Sequence, residues 1–277
     1  MSTKTLLKAA FLFLIFSLAG PLRAAADQPL LFGSVAMDTP AVMQKRLLPL
    51  TSYLSKALGR PVVLKLSTNM PEAINALVAN EVDIAYLTPV AYVDARARSD
   101  VQLIVKTVTD KQPFFKLMIV VLENSPIRKV EDLAGKSFAF GDRAALLQRA
   151  VVVGAGMPLE RLGKYDFLDH YDNVVRSVLV GDFDAGIVID STAYRWRGKG
   201  VRILYSSKNL PPYNIAGSSK LDRATQTKLR DALLRLDPAK PEHKQIITAL
   251  SEAYSGFAAT KDAEYEIVRK LIKPFKK

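Results

Sequence analysis

Asn80-Glu81-Val82-Asp83-Ile84-Ala85-Tyr86-Leu87-Thr88-Pro89-Val90-Ala91-Tyr92 is the segment on which the architecture turns, because it reads as a buried strand running straight into a helix. Val82 to Leu87 is a mostly apolar run of strand length. The Thr88 hydroxyl can cap a helix, and Pro89 suits the first helical position, where no N–H is needed. Such a helix aims backbone N–H groups beyond the carboxyl end of the strand. In open α/β sheets ligands sit there, and the positive end of the helix dipole favours anions. A shorter echo at Gly181-Asp182-Phe183-Asp184-Ala185-Gly186-Ile187-Val188-Ile189 again passes from a helix end into an apolar strand, which suggests one α/β lobe used twice.

Upstream, Leu30 to Val35 is a short strand, and the turn Met37-Asp38-Thr39-Pro40 enters a helix with a buried stripe at Met43, Leu47, Leu50, Leu54 and Leu58. Pro49 is expected to kink or restart that helix, and Gly59 to end it. Pro61 to Leu66 is a second strand, followed by a helix Glu72 to Ala79 with Pro71 as its first residue. Strand and helix alternating in this way call for a parallel sheet covered on both faces.

Downstream, Val101 to Val108 and Phe114 to Leu122 are apolar runs with no helix between them, so the second leaves the first lobe and opens another. Ser137 to Phe140 is a strand leading through Gly141 into a helix Arg143 to Val153 capped by Asp142. Asn173 to Val180, Asp184 to Ile189 and Val201 to Tyr205 continue that lobe as helix, strand and strand. Leu210-Pro211-Pro212-Tyr213-Asn214-Ile215-Ala216 is an extended return crossing. Helices at Asp222 to Leu236, Pro241 to Tyr254 and Ala263 to Leu271 finish the chain. The expected fold class is α/β: two Rossmann-like lobes, residues 27–112 with 214–277 and residues 113–213, joined by a hinge of two crossing segments.

Residues 1–26 read as a secretory signal peptide cleaved after about Ala26: Lys4 and Lys8 precede the apolar run Ala9 to Ala19, and Ala24-Ala25-Ala26 ends it. The run is short of the roughly 20 residues that span a bilayer. The chain has no cysteine, which excludes a lipidated N-terminus and disulfides, and an exported protein of this kind suits a bacterial periplasm. With 49% hydrophobic and 24% charged residues, the composition is that of a globular protein. The formal net charge is +12, and +9 once Lys4, Lys8 and Arg23 leave with the leader. These cations are spread along the chain with no basic tract interleaved with aromatics, so no nucleic-acid partner is expected. A net positive potential does help to draw in a small anion.

Arg46-Leu47-Leu48-Pro49-Leu50-Thr51-Ser52-Tyr53-Leu54, Leu58-Gly59-Arg60-Pro61-Val62, the segment Val82 to Tyr92, and Glu131-Asp132-Leu133-Ala134-Gly135-Lys136-Ser137-Phe138-Ala139-Phe140-Gly141-Asp142 together resemble the phosphate/phosphite/phosphonate-binding proteins of ABC importers. The resemblance continues through His170, Gly181 to Gly186, Pro211-Pro212 and Gly256-Phe257-Ala258. It implies a periplasmic solute-binding protein of the two-lobed type II kind that closes on a small-molecule ligand and hands it to an ABC transporter permease. The same body reporting to a membrane sensor kinase is the alternative. A monomer without cofactor is expected.

In that family the oxyanion is gripped by helix starts and hydroxyls of both lobes. Carried over, Thr88 and Tyr92 match the first-lobe junction, Asp142 the second-lobe junction and His170 the later histidine. Where the family offers a run of Ser and Thr hydroxyls, this chain has Arg143-Ala144-Ala145-Leu146-Leu147, and Met70 stands nearest the position of a pocket aromatic. Two readings stand: the Arg143 guanidinium replaces the lost hydroxyls for a carboxylate or phosphate, or the pocket has turned apolar, the ligand is not a phosphonate and Arg143 is merely solvated. Tyr92 is either at the pocket or core packing, and His170 either a ligand group or a surface residue. Asp190 either receives a ligand amine or hydroxyl or caps Ser191 onward. Trp196 looks like a surface or hinge contact.

Enzyme readings find little support. Gly135-Lys136-Ser137 resembles the end of a P-loop, yet Val130 stands where glycine belongs and a strand follows. No dinucleotide fingerprint, H-E-x-x-H or G-x-S-x-G is present, and His170 and His243 are the only histidines, so no enzyme, metal or cofactor is expected.

Overall fold

The structure, a computed structural model, describes residues 28–34 and 39–276, so the leader expected at 1–26 lies outside the described residues. The chain runs β1 (Leu30–Ser34), α1 (Pro40–Leu58), β2 (Val62–Leu66), α2 (Met70–Val78), β3 (Ile84–Leu87), α3 (Pro89–Arg98) and β4 (Gln102–Thr109). It then continues through β5 (Leu117–Leu122), β6 (Ser137–Phe140), α4 (Leu146–Gly154), β7 (Lys164–Phe167), α5 (Tyr171–Leu179), β8 (Ala185–Ile189), α6 (Asp190–Trp196) and β9 (Val201–Ser206). The last part holds β10 (Asn214–Gly217), α7 (Arg223–Leu234), α8 (Pro241–Leu250), β11 (Tyr254–Ala258) and α9 (Glu266–Ile272).

Two sheets result, with orders β11-β4-β10-β3-β1-β2 and β7-β6-β8-β5-β9. Leaving out the edge strand β11, they share one plan. In the first, β2, β1 and β3 are parallel and β10 runs antiparallel between β3 and β4. In the second, β7, β6 and β8 are parallel and β5 runs antiparallel between β8 and β9. The repeated lobe expected from the two strand openings is therefore a repeat of topology.

This plan places the cleft. Because β10 is antiparallel to both β3 and β4, the exit of β4 at Thr109 lies at the same sheet edge as the end of β3 at Leu87. By the same argument the exit of β9 at Ser206 lies at the edge where β8 ends at Ile189. Both crossings leave from these edges, so the carboxyl ends of the two sets of parallel strands face each other across the hinge.

Local chemistry explains the elements. Met43, Leu47, Leu50 and Leu54 bury the inner stripe of α1, Thr39 caps it, and Gly59 ends it in the left-handed region at φ 65°. The helix runs unbroken through Pro49. A proline inside a helix costs about 3 kcal/mol, whereas each fully buried aliphatic side chain contributes about 1.5–3 kcal/mol, so the stripe outweighs the missing bond. Asn69 Oδ1 accepts from Glu72 N at 2.9 Å, which starts α2 at Met70 instead of Pro71.

Other expectations shift further. The helix expected to begin at Arg143 begins at Leu146, and the helix expected to reach Tyr254 stops at Leu250, where Ser251 turns extended and β11 follows. The strand β7 and the helix α6 were not legible. The first is a short, largely exposed edge strand, and the second is a single pair of turns whose first residue is Asp190.

Gly186 in β8 lies under α5: a Cβ there would collide with Val174 and approach the Ala139 carbonyl at 3.1 Å. Gly186→Ala is expected to lower stability by about 1–3 kcal/mol through overpacking, read as a drop in the urea midpoint. An unchanged midpoint would show that α5 gives way freely.

Candidate functional site

At the first-lobe edge, Thr88 is extended (φ −70°, ψ 160°) and its Oγ1 accepts from Ala91 N at 3.1 Å. The Tyr92 N–H donates to the Thr88 carbonyl, and Pro89 has no N–H, so Val90 N is the N–H at this helix start without an intrahelical acceptor. Asn214 pairs with Leu87 in antiparallel register, which sets the next residue of the crossing, Tyr213, level with Thr88. The Tyr213 ring stacks on Tyr86 with centroids 5.3 Å apart, and the Tyr86 hydroxyl lies 2.6 Å from that of Tyr254.

Burial pushes all three of these phenols up. Tyr213 is raised further by Tyr254 and by Tyr171 and Asp142 of the opposite lobe, so the hinge tyrosine feels both walls of the cleft. Arg46, on α1, acts in the opposite sense on Tyr86 and Tyr254.

The second-lobe edge is built from three loops. After β6, the Asp142 carboxylate accepts from Ala144 N at 2.8 Å, Ala145 N donates to the Asp142 carbonyl, and Leu146 N to the Ala144 carbonyl. Gln148 Oε1 accepts from Gly141 N at 2.8 Å, while its Nε2 donates to the Tyr171 hydroxyl at 3.4 Å. Most N–H groups of this loop are thus satisfied from within. After β7, Leu168 N and Asp169 N donate to the carbonyls of Phe140 and Gly141, with Asp169 in the left-handed region at φ 63°. His170 is the exposed N-cap of α5 and its side chain makes no cap bond, so the N–H groups of the first turn lack a side-chain acceptor there.

After β8, Asp190 accepts from Lys116 N at 3.0 Å and Ser191 N at 2.9 Å. Burial raises its pKa despite these bonds. Tyr171 is pushed up to about 12, first by burial and then, against the Gln148 bond, by the charges of Asp142 and Asp190.

Of the residues singled out from sequence, the structure therefore groups Asp142 and Asp190 around Tyr171, and sets Thr88 beside Tyr213. It does not bring Tyr92 to that group. The Tyr92 side chain is buried, packs edge-on against Tyr265 at 4.7 Å and donates to Asp262 at 2.6 Å, on the far face of the first sheet. Met70 packs half-buried against the same apolar cluster. Arg143 is 74% exposed in its side chain, with its guanidinium 4.4 Å over the Phe167 ring and 3.7 Å from Asp166, and Ala144 is exposed beside it. Trp196 donates from Nε1 to Asp172.

The residues that sequence reasoning missed are Tyr86, Tyr171, Tyr213, Tyr254 and Gln148. Tyr86 offered a signal, as the lone hydroxyl in an otherwise aliphatic strand; the others are joined only by tertiary pairing.

A family model described as "ABC transporter, phosphonate, periplasmic substrate-binding protein" matches residues 32–265. The chain belongs to this family. The phosphonates-binding periplasmic protein of Escherichia coli (strain K12) is 21% identical over 289 residues, covering 98% of this chain and 85% of that protein. Among solved structures, PhnD1 from Prochlorococcus marinus (MIT 9301), in complex with methylphosphonate, superposes with a TM-score of 0.69 at 20% identity over 89% of this chain and 98% of its own. The protein XAC2383 from Xanthomonas citri, solved with chloride ion, gives 0.71 at 18% identity over 88% and 95%. The fold is thereby the two-lobed periplasmic binding fold.

Within this phosphonate-binding family, the loop Asp142–Leu147 is the departure already visible in the sequence. In this loop the Asp142 carboxylate closes a turn with Ala144 N, and the residues after it, Arg143 to Leu147, carry no side-chain hydroxyl.

Asp190 binds its proton more tightly folded than unfolded. Between the two pKa values the folded chain holds the extra proton, so this contribution to stability is present at acid pH and is lost as pH rises through the folded value. Asp190→Asn is expected to flatten that part of the stability curve, measured by denaturant melts from about pH 3 to pH 7. A curve superimposable on wild type would show that the burial of Asp190 is not felt.

Proposed function

We propose that this chain captures a small anionic solute, a phosphonate or phosphate-like oxyanion or a small carboxylate, by closure of its two lobes, and delivers it as a monomer to the permease of an ABC importer. Lobe one is residues 27–112 with 214–277 and lobe two is residues 113–213. The observation that carries this reading is Tyr213, which sits level with the Thr88 helix start in one lobe and whose phenol is pushed up, after burial and Tyr254, by Tyr171 and Asp142 of the other.

The chemistry follows from protonation. Burial keeps Tyr86, Tyr171, Tyr213 and Tyr254 as neutral phenols at any physiological pH; the Tyr86 and Tyr254 hydroxyls share one hydrogen bond, so one of that pair, with Tyr171 and Tyr213, can donate to an oxyanion. With Val90 N at the start of α3 and the uncapped first turn of α5, they supply donors from both lobes. Asp142 and Asp190 repel an anion. They belong at the opposite end of the ligand, facing its hydroxyl or amine. Closure expels water from between these groups and strengthens each of them.

Calorimetry with methylphosphonate, phosphate, phosphite and small carboxylates tests the reading. Tyr213→Phe is expected to weaken the anion that binds by about 1.5–3 kcal/mol, the range for a hydrogen bond to a charged group. Arg143→Ala is expected to cost less than about 1 kcal/mol, as for other exposed ion pairs. Binding of none of these anions, with a neutral or cationic molecule found by native mass spectrometry on the freshly purified protein, overturns the assignment.

A further inference from the structure

The C-terminal segment reaches both helices whose starts flank the cleft. After β11 the chain makes a 3-10 turn (Asp262–Tyr265) and the helix α9, which packs on α3 of the first lobe and on α4 of the second. On the α3 side, Tyr265 packs against Tyr92, Asp262 accepts from the Tyr92 hydroxyl, and Lys276 pairs with Asp94. Arg269 holds Asp262 from within α9.

On the α4 side the joint is apolar. Val268 and Ile272 share one buried cluster with Leu147, Ala150 and Val151. Leu271 lies over Gly154, where a Cβ would meet its Cδ2 at 2.6 Å. A continuous apolar core therefore runs from α3 through α9 to α4, outside the two strand crossings.

We propose that α9 is a strut between the lobes, a third link that sets how far apart they rest before any ligand arrives. The reasoning is mechanical. The crossings between β4 and β5 and between β9 and β10 hold no helix and are bridged to each other only at Phe115 and Leu210, so rotation about them is the motion the hinge allows. Rotation that opens the cleft moves α3 relative to α4, and α9 cannot follow both. It must break its polar node with Tyr92 or slide across the Leu271–Gly154 joint. Small, glycine-lined contact at that joint permits close packing in one register only, so the apolar contact favours the approach seen here over a wider one.

The inference goes beyond the ligand assignment and needs no ligand for its test. The natural chain has no cysteine, so Gln44→Cys on α1 and Arg176→Cys on α5, both exposed, give a unique spin-label pair in the mature protein. The inter-label distance distribution is then measured in the ligand-free state. Leu271→Ala, which removes the packing on α4, is expected to broaden the distribution and shift it to longer separation, and Leu271→Met, which keeps the volume, to restore the wild-type peak. Gly154→Ala, which pushes Leu271 off α4 from the other side, is expected to shift it in the same direction. Distributions superimposable on wild type in folded Leu271→Ala and Gly154→Ala proteins overturn the proposal; if Leu271→Ala fails to fold, Gly154→Ala alone decides it. Methylphosphonate added to the wild-type pair reports separately on ligand-driven closure, so the strut and the anion assignment fail independently.

Discussion

The constraint on which the structure depends is an exchange of strands. Each sheet takes its antiparallel fourth strand from chain that has just arrived from the other lobe: β5 enters beside β8, and β10 enters beside β3. Neither is peripheral. Leu117 to Val121 are all buried, as are Asn214 to Gly217. Each buried aliphatic side chain contributes roughly 1.5–3 kcal/mol, and ordering each residue costs roughly 1–2 kcal/mol, so the strands hold only as parts of completed sheets. The lobes consequently cannot part, and relative rotation is the motion left to them. The same exchange brings the carboxyl ends of the parallel strands face to face, which is why a cleft exists at all.

What fills that cleft wall is unusual for a chain of net positive charge. The groups brought together are phenols and two carboxylates, with Arg46 as the neighbouring cation. A buried cation costs several kcal/mol of desolvation unless it is paired. A neutral phenol costs far less, keeps its proton because burial opposes ionisation, and remains a directional donor. A wall of this kind presents neutral, directional donors beside two carboxylates.

Much of the fold was legible because it is written in local pattern. The apolar run ending at Leu87, the capping Thr88 and Pro89 fixed a strand-to-helix junction within a residue or two, and the stripe in α1 and the αL Gly59 fixed a helix. The elements that escaped lack such local marks. Lys164-Tyr165-Asp166-Phe167 pairs on one edge only, and Tyr254–Ala258 becomes a strand because β4, far away in sequence, offers it a partner. The candidate site followed the same division. Thr88 was visible from its capping chemistry and Asp190 from its place beyond a strand. Tyr213 and Tyr171 join the candidate site through register and lobe approach, which no window of sequence contains. Tyr92 was drawn away from the cleft by Asp262, a partner supplied from the C-terminal segment.

Arg143 shows how a shift of three residues redirects chemistry. Had the helix begun there, its guanidinium would have stood at a positive dipole end, an unfavourable place unless an anion neutralised it. Instead Asp142 closes a local turn with Ala144, the helix waits until Leu146, and Arg143 stays in the loop, free to lie on the Phe167 face beside Asp166. Arg149 sits over the same ring at 5.7 Å and donates to the Arg143 carbonyl at 3.3 Å, so the loop is pinned from the helix as well. A cation held at the rim acts over roughly a Debye length of 8–10 Å, enough to raise the local concentration of an approaching anion. The side chain that looked like the substitute for a lost hydroxyl cradle is thus held on the Phe167 ring, apart from the tyrosines contributed by the strands and the hinge.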